Sequence, residues 1–112
     1  MSVKIYREIN NNTLKERDKN ILLQFICEVD LWNAESIFDC CLHYDESEEE
    51  YCEISETYYT TLKKAIEYLK YLINRESDTN DTWYKEATRC YDILVKVMNE
   101  CEENEFFILF VC

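Results

Sequence analysis

Hydrophobic and polar positions follow a helical period through most of this chain and a strand-like pattern only near its two ends. Near the N-terminus, Val3 and Ile5 alternate with polar residues, which predicts a short strand from Val3 to Glu8. Near the C-terminus, the continuous apolar run from Phe106 to Val111 has the length and β propensity of a buried strand. The alternative for this second run is a helical turn that extends the preceding helix.

Between these two segments, apolar residues recur at spacings of three and four, which predicts amphipathic helices. Thr13 and Glu16 form a capping box at the start of the first helix, and Asp30 is the expected N-cap of the second. The predicted helices run from Leu14 to Val29, from Leu31 to His43, from either Glu48 or a position after Ser55 to Arg75, and from Thr82 to Cys101.

The predicted fold class is therefore mostly α: a four-helix antiparallel bundle-like domain with short N- and C-terminal β-strands that pair with each other. A chain of 112 residues is expected to form one domain over residues 1–112. An apolar terminal strand left at a sheet edge would promote aggregation, so we expect the terminal strands to be paired. Their continuation across a two-fold axis in a homodimer is a second hypothesis.

Charge is distributed unevenly along this chain. Its net charge is -12, and residues 30–57 contain ten acidic residues and no Lys or Arg. Such a field repels nucleic acids and anionic membranes and attracts cationic surfaces. We therefore expect no direct binding to nucleic acid or membrane, although a purely solvated acidic face is the simpler alternative.

Aromatic residues are interleaved with these acids, and this combination is typical of a protein interface. Aromatic rings act as anchors while the acids select a basic partner. Of the rings, Tyr44 and Tyr51 flank the densest acidic run and are the expected exposed anchors. The predicted partner-binding residues are Asp39, Tyr44, Asp45, Glu46, Glu48, Glu49, Glu50, Tyr51, Glu53 and Glu56.

The function that this pattern favours is that of a small acidic inhibitor occupying a basic, nucleic-acid-binding surface of a partner protein such as a nuclease, a defence effector or a toxin. Phage anti-defence inhibitors and toxin-immunity proteins share this general character, although no family motif supports the comparison. A homodimeric structural or scaffolding subunit, in which acidity serves solubility, is the alternative.

Catalysis is less well supported by the sequence, and we expect no enzyme activity, cofactor or metal. The chain has no Gly, which excludes glycine-dependent phosphate loops and nucleophile elbows. The pairs Glu53/Glu56 and Glu100/Glu103 have E-x-x-E spacing on predicted helices, which leaves a Mg²⁺-dependent nucleotide pyrophosphohydrolase as a second alternative. The single histidine, His43, has cysteines nearby but lacks the C-x-x-C spacing of a zinc site.

Seven cysteines, an odd number, together with an N-terminus that lacks a signal-peptide pattern, favour a cytoplasmic, reducing compartment. In that compartment most of the cysteines are expected to act as small hydrophobic residues.

Overall fold

A computed structural model describes residues 2–9, 22–45, 50–51 and 54–111 of this protein. Its centre is an antiparallel sheet of four strands in the order β2-β1-β6-β5, and a two-stranded hairpin of β3 and β4 accompanies it. The strands are β1 Val3–Ile9, β2 Leu22–Val29, β3 Tyr44–Asp45, β4 Glu50–Tyr51, β5 Ile54–Tyr58 and β6 Phe106–Val111.

Two long helices pack side by side against one face of this sheet, which we call the inner face. They are α2, Tyr59–Arg75, and α3, Thr82–Glu100. A single helical turn, α1 (Ala34–Ile37), and a 3-10 turn at Asp39–Cys41 lie between β2 and β3. The segment from β5 through α2 and α3 to β6 therefore brings two antiparallel neighbouring strands together through a helical hairpin.

The two terminal strands pair with each other at the centre of the sheet. In β1 and β6, Val3 lies opposite Val111 and Arg7 lies opposite Phe107. This pairing agrees with the sequence prediction, but the central position does not suit the predicted homodimer. Because β2 and β5 flank the terminal strands on either side, neither β1 nor β6 has a free edge that could continue into a second copy.

The hydrophobic core fills the space between the inner face and the two helices. Val3, Ile5, Phe107 and Leu109 are fully buried on the central strands. The predicted apolar stripes of both helices face them, and their fully or almost fully buried members are Leu62, Ala65, Leu69, Ala87, Cys90 and Leu94. Burying aliphatic and aromatic side chains contributes about 1.5–3 kcal/mol each, so this layer provides most of the fold's stability.

The four-helix bundle prediction is wrong, because the fold is a four-stranded antiparallel sheet with helices on one face. Residues 22–29 of the first predicted helix form β2 instead, while its start, with the Thr13/Glu16 capping box, lies outside the described residues. The pairing of β1 with β2 shifts register between Ile5 and Tyr6, so that Ile26 is an extra residue between the paired Phe25 and Cys27. Such a bulge interrupts the two-residue alternation of a strand, and the apolar residues of β2 then imitate helical spacing.

The second predicted helix is also shorter than expected, and the third begins at Tyr59, in agreement with the later of its two predicted starts. Only α1 and the 3-10 turn form within residues 31–43. The residues before α2 form β5, in which the inward-facing Ser55 and Thr57 are buried and polar while Ile54 and Tyr58 are exposed. Ser55 Oγ accepts a hydrogen bond from the backbone N–H of His43 at 3.1 Å, which satisfies its polar group inside. In β5, therefore, two polar side chains face the core and two large hydrophobic side chains face solvent, the reverse of the usual arrangement in a half-buried strand.

The opposite side of the sheet, which we call the outer face, has no helix packed on it among the described residues. Its described side chains are Lys4, Tyr6, Glu8, Leu23, Phe25, Glu28, Ile54, Glu56, Tyr58, Phe106, Ile108 and Phe110. Tyr6 makes edge-to-face contacts with Phe25 and Phe110, at centroid distances of 5.4 and 5.2 Å. These aromatic contacts stabilise the outer face without burying it fully.

Candidate interaction surface around Trp32

Only part of the predicted partner-binding set has described side chains. Asp39 is exposed in the 3-10 turn, and Glu56 is exposed in the middle of β5. Asp39 and Glu56 both belong to a part of the fold where the 3-10 turn packs near β5 and α2. The ring Nε2 of His43 lies 2.9 Å from the carbonyl oxygen of Glu56, which joins the segment after the 3-10 turn to the edge of the sheet.

Four of the remaining predicted residues lie on the two strands of the small hairpin. In the pairing of β3 with β4, Tyr44 lies opposite Tyr51 and Asp45 lies opposite Glu50. The structure therefore brings the two predicted aromatic anchors to matching positions on neighbouring strands. Their exposure stays a prediction, as does the role of the four acids that fall outside the described residues, which are Glu46, Glu48, Glu49 and Glu53.

The most exposed large hydrophobic side chain among the described residues is Trp32, with 84% of its surface accessible. Trp32 lies in the turn between β2 and α1, and its neighbours hold that turn firmly. Leu31 and Ala34 are buried, and the N–H of Ala34 donates to the carbonyl of Leu31 at 3.1 Å. Because buried residues anchor the turn on both sides, the indole is directed outward by a rigid part of the fold.

A second tryptophan stabilises this turn from the adjoining helix. Trp83 Nε1 donates a hydrogen bond to Asn33 Oδ1 at 2.8 Å. The position of Trp83 is set in turn by the N-cap of α3, where Asp81 Oδ1 accepts from the Trp83 N–H at 2.7 Å. The start of α3 and the Trp32 turn are therefore connected through one side-chain hydrogen bond.

Three shallow recesses meet at Trp32 and together form the surface that we call the Trp32 surface. One lies against α2 beside Tyr68 and Leu72, another lies over the connection between α2 and α3, and the third lies along the start of α3. Residues that line these recesses are Asp30, Leu31, Trp32, Asn33, Glu35, Ser36, Tyr68, Leu72, Arg75, Glu76, Asp81, Thr82, Trp83 and Glu86.

Among the described residues, acidic groups dominate the Trp32 surface, because five carboxylates line it against one cationic side chain, Arg75. Arg75 is held by its own helix: its guanidinium donates to the Tyr71 hydroxyl at 2.7 Å and lies 5.3 Å from the centre of that ring. Asp30 and Glu35 accept no hydrogen bond and form no ion pair within the described residues. They are therefore available to an external cation.

Glu86 differs from Asp30 and Glu35 because it is paired within α3. Arg89 donates to both of its carboxylate oxygens, at 2.5 and 3.0 Å. These hydrogen bonds lower the pKa of Glu86 below its ordinary value. The pair is exposed and contributes little stability, in keeping with other surface ion pairs.

Sequence reasoning identified Trp32 only as one of several aromatics in the acidic region and did not identify Asp81, Trp83 or Glu86. Asp81 directly before a helix start is an N-cap signal, so it was detectable. The exposure of Trp32 was not, because Leu31 and Trp32 are both large apolar residues and only the tertiary fold decides which one faces solvent.

The described cysteines give no sign of an activated nucleophile. Burial raises the pKa of Cys41 to about 12, and burial also raises that of Cys101 to about 12. A hydrogen bond to Cys90 raises the pKa of Cys27 as well. A thiol with a raised pKa stays protonated at neutral pH and is a poor nucleophile.

Among the described residues, the side chains that suggested metal chemistry are not brought together into a metal site. Glu56 lies on a strand, so the helical E-x-x-E arrangement assumed for Glu53 and Glu56 is wrong. Within residues 2–9, 22–45, 50–51 and 54–111, no group of three or more His, Cys, Asp or Glu side chains is placed to hold a metal ion. In the same residues, no helix is both long and apolar enough to cross a membrane.

No protein-family model matches this chain, and comparisons with curated proteins and with solved structures return no match. We therefore infer the function of this protein from its own residues.

Proposed function

We propose that this protein is a small acidic inhibitor that binds a basic surface of a partner protein, with Trp32 as the central anchor. The basic surface is one that would otherwise contact nucleic acid, as on a nuclease, a defence effector or a toxin. The observation that carries the proposal is an indole, 84% exposed, on a turn that buried neighbours anchor, with carboxylates lining the recesses around it.

Exposure of Trp32 has a cost that binding would remove. Leaving a large aromatic side chain in water forgoes about 1.5–3 kcal/mol of hydrophobic stabilisation. Tryptophan is also among the residues most often found to dominate binding energy at interfaces, where surrounding polar groups exclude water from it. The Trp32 turn is ordered by buried neighbours, so little conformational entropy would be lost on binding.

The acidic ring determines which partners are suitable. Asp30 and Glu35 have no cationic partner within the described residues, so a positively charged surface would supply the missing counterions. A net charge of -12 adds long-range attraction that raises the association rate with a cationic protein. The same charge disfavours nucleic acid as a direct ligand.

The predicted acidic residues from Asp39 to Glu56 extend this field in the proposal. They occupy the segment from the 3-10 turn to β5. Their contribution is to attract the partner over a distance, whereas Trp32 supplies the close contact.

The direct test is a pull-down from the native host, or from the cell that it infects, at low and high salt, followed by rate measurements with the recovered partner. Two charge-reversed variants are compared: Asp30→Lys with Glu35→Lys on the Trp32 surface, and Glu100→Lys with Glu102→Lys at the opposite end of the molecule. Both variants change net charge equally, and all four positions are partly or fully exposed.

We expect the Asp30/Glu35 variant to lower the association rate constant by about 10-fold or more and to weaken its salt dependence. The Glu100/Glu102 variant should have a clearly smaller effect, because its charges lie farther from the contact. Equal effects of the two variants, or binding to the recovered partner that salt does not change, would contradict the proposal.

A further inference from the structure

A separate recess, which we call the helix groove, lies between α2 and α3 and shares no lining residue with the Trp32 surface. Its volume is about 310 Å³. Sites for small molecules typically have volumes of about 300–1,000 Å³ and combine an apolar lining with a few polar groups. The helix groove is therefore large enough for a small ligand.

The interior of the helix groove is apolar and aromatic. Ile66 and Met98 are buried members of the hydrophobic core, and Val95 is half-buried against it. The half-buried rings of Tyr59 and Tyr91 also line the groove. The Tyr59 hydroxyl donates to the carbonyl oxygen of Met98 at 3.4 Å, which joins the first turn of α2 to the last turn of α3. An aromatic ligand would thus contact apolar atoms and rings that the fold already holds in place.

The charged groups of the helix groove are mostly cationic, in contrast to those of the Trp32 surface. Among the described residues, Lys63 and Lys70 line it against one carboxylate, Glu67. Lys70 is already engaged, because its ammonium lies 4.8 Å from the centre of the Tyr91 ring. Within the described residues, Lys63 forms no ion pair, hydrogen bond or ring contact. An anionic group would supply the counterion that Lys63 lacks.

The two contacts across the groove show which polar groups share one end of it. Tyr59 contacts Met98, and Lys70 contacts Tyr91, so the two helices run antiparallel along the groove. Lys63 therefore lies toward the end that Asn99 also lines. An ammonium and a side-chain amide are both hydrogen-bond donors, and a carboxylate accepts from both.

From this arrangement we propose that the helix groove binds a small aromatic carboxylate. The carboxylate accepts hydrogen bonds from the Lys63 ammonium and the Asn99 amide, and the aromatic ring packs on Ile66 and Val95. Charge complementarity selects an anion, and the apolar interior selects a ring rather than a fully hydrated ion. This site goes beyond the proposed inhibitor function and uses different residues, so either proposal can fail without the other.

Proton–nitrogen correlation NMR of the whole chain tests this inference, with naphthoate as the probe. Naphthylmethanol and naphthylmethylammonium carry the same two rings with no charge and with a positive charge. We expect saturable binding of naphthoate with a dissociation constant of about 1 mM or lower. Naphthylmethanol should bind about threefold or more weakly than naphthoate, and the ammonium compound should bind more weakly still. The largest amide shifts should fall within residues 59–70 and 91–99 rather than in the Trp32 turn.

Two pairs of variants test the two halves of the site. Lys63→Gln should weaken naphthoate binding by about threefold or more, whereas Lys64→Gln should change it by less than about 1.5-fold. Lys64 is the matched control because it is also exposed on α2 but does not line the groove. Val95→Asp should weaken binding by about 10-fold or more, because it places a carboxylate in the apolar interior. Its control is Val97→Asp, at a half-buried position of α3 outside the groove.

Circular dichroism checks that each variant folds, and the shifts of the wild type provide a readout that needs no variant. Absence of saturable binding at about 10 mM naphthoate would overturn the inference. Tighter binding of the ammonium compound than of naphthoate, equal effects within either pair of variants, or shifts confined to residues outside the groove would overturn it as well.

Discussion

The two ends of the sheet use carboxylates in different ways. At one end, Glu105 forms a two-point contact with Arg7, with distances of 2.8 Å to Nε and 2.7 Å to Nη2. At the other end, where β2 leads into the Trp32 surface, Asp30 and Glu35 have no such partner among the described residues. The acids described here are therefore of two kinds. Glu105 holds the segment before β6 to β1 through its ion pair with Arg7, whereas Asp30 and Glu35 remain available to a cationic group of another molecule.

The environment of each end supports this division. Both members of the Arg7–Glu105 pair are 24% exposed, so the pair is largely enclosed by the protein. Burial acts to raise the pKa of Glu105, but the hydrogen bonds and charge of Arg7 outweigh it and the pKa is lowered. The Trp32 surface has instead an 84% exposed indole that none of the described elements covers.

The largest effect that we expect from this comparison is on partner binding. Trp32→Ala should weaken binding to the recovered partner by about 30-fold or more, which corresponds to about 2 kcal/mol, because the anchor is lost. Its free energy of unfolding should change by less than about 0.5 kcal/mol, since the side chain makes few internal contacts. Isothermal titration calorimetry and urea unfolding provide the two measurements.

The matched control for Trp32→Ala is Tyr58→Ala, which removes an aromatic ring that is 64% exposed on the outer face. Its affinity for the partner should stay within about twofold of the wild type. If Tyr58→Ala weakens binding more than Trp32→Ala does, the wrong surface has been assigned.

The second effect concerns stability at the opposite end. Glu105→Gln should reduce the free energy of unfolding by about 1–2 kcal/mol at neutral pH, because the charge-assisted hydrogen bonds from Arg7 are weakened. Asp30→Asn should change it by less than about 0.5 kcal/mol. Urea unfolding of both variants checks the difference between a structural and an open carboxylate.

The pH dependence of the same pair follows from the sign of the pKa shift. A carboxyl group whose pKa is lowered by folding stabilises the protein fully above its ordinary pKa, and this stabilisation is lost as pH falls through the lowered folded-state value. The difference in stability between the wild type and Glu105→Gln should therefore shrink between about pH 5 and about pH 3. A difference that is constant over this range would indicate that the Arg7 contact is not electrostatic.

The smallest effect links the fold to the binding surface. Asn33→Ala removes the acceptor of Trp83 Nε1 and should cost about 1 kcal/mol of stability, because a half-buried donor loses its partner. Partner affinity should fall only severalfold, since Trp32 remains but its turn is less firmly held. Asn33→Asp keeps an acceptor oxygen and should restore both quantities, which distinguishes the hydrogen bond from general disruption.

Sequence patterns predicted the structure correctly where one face of an element is apolar and the opposite face is exposed to solvent. The stripes of α2 and α3 follow from such patterns. The regular spacing of large apolar residues is what these two helices have in common, and packing against a single layer preserves it. The strand at Phe106–Val111 follows instead from the length and β propensity of its continuous apolar run.

The edge strands were missed because their patterns depend on tertiary contacts. The bulge at Ile26 breaks the alternation in β2, and hydrogen bonding to the main chain of His43 lets β5 turn Ser55 inward. Neither feature is visible in the local sequence. Charge asymmetry, in contrast, is a property of composition, so the acidic character of residues 30–57 was predictable even though the position of Trp32 at the centre of a surface was not.

The most direct test of the binding proposal is acrylamide quenching of Trp32 fluorescence in the free protein and in its complex with the recovered partner. A Trp83→Phe background leaves Trp32 as the single tryptophan of the chain, and circular dichroism checks that this variant folds. We expect strong quenching in the free protein and a quenching constant several times smaller in the complex, because the indole becomes buried. Equal quenching of Trp32 in both states would contradict the proposal that Trp32 is the anchor of the interface.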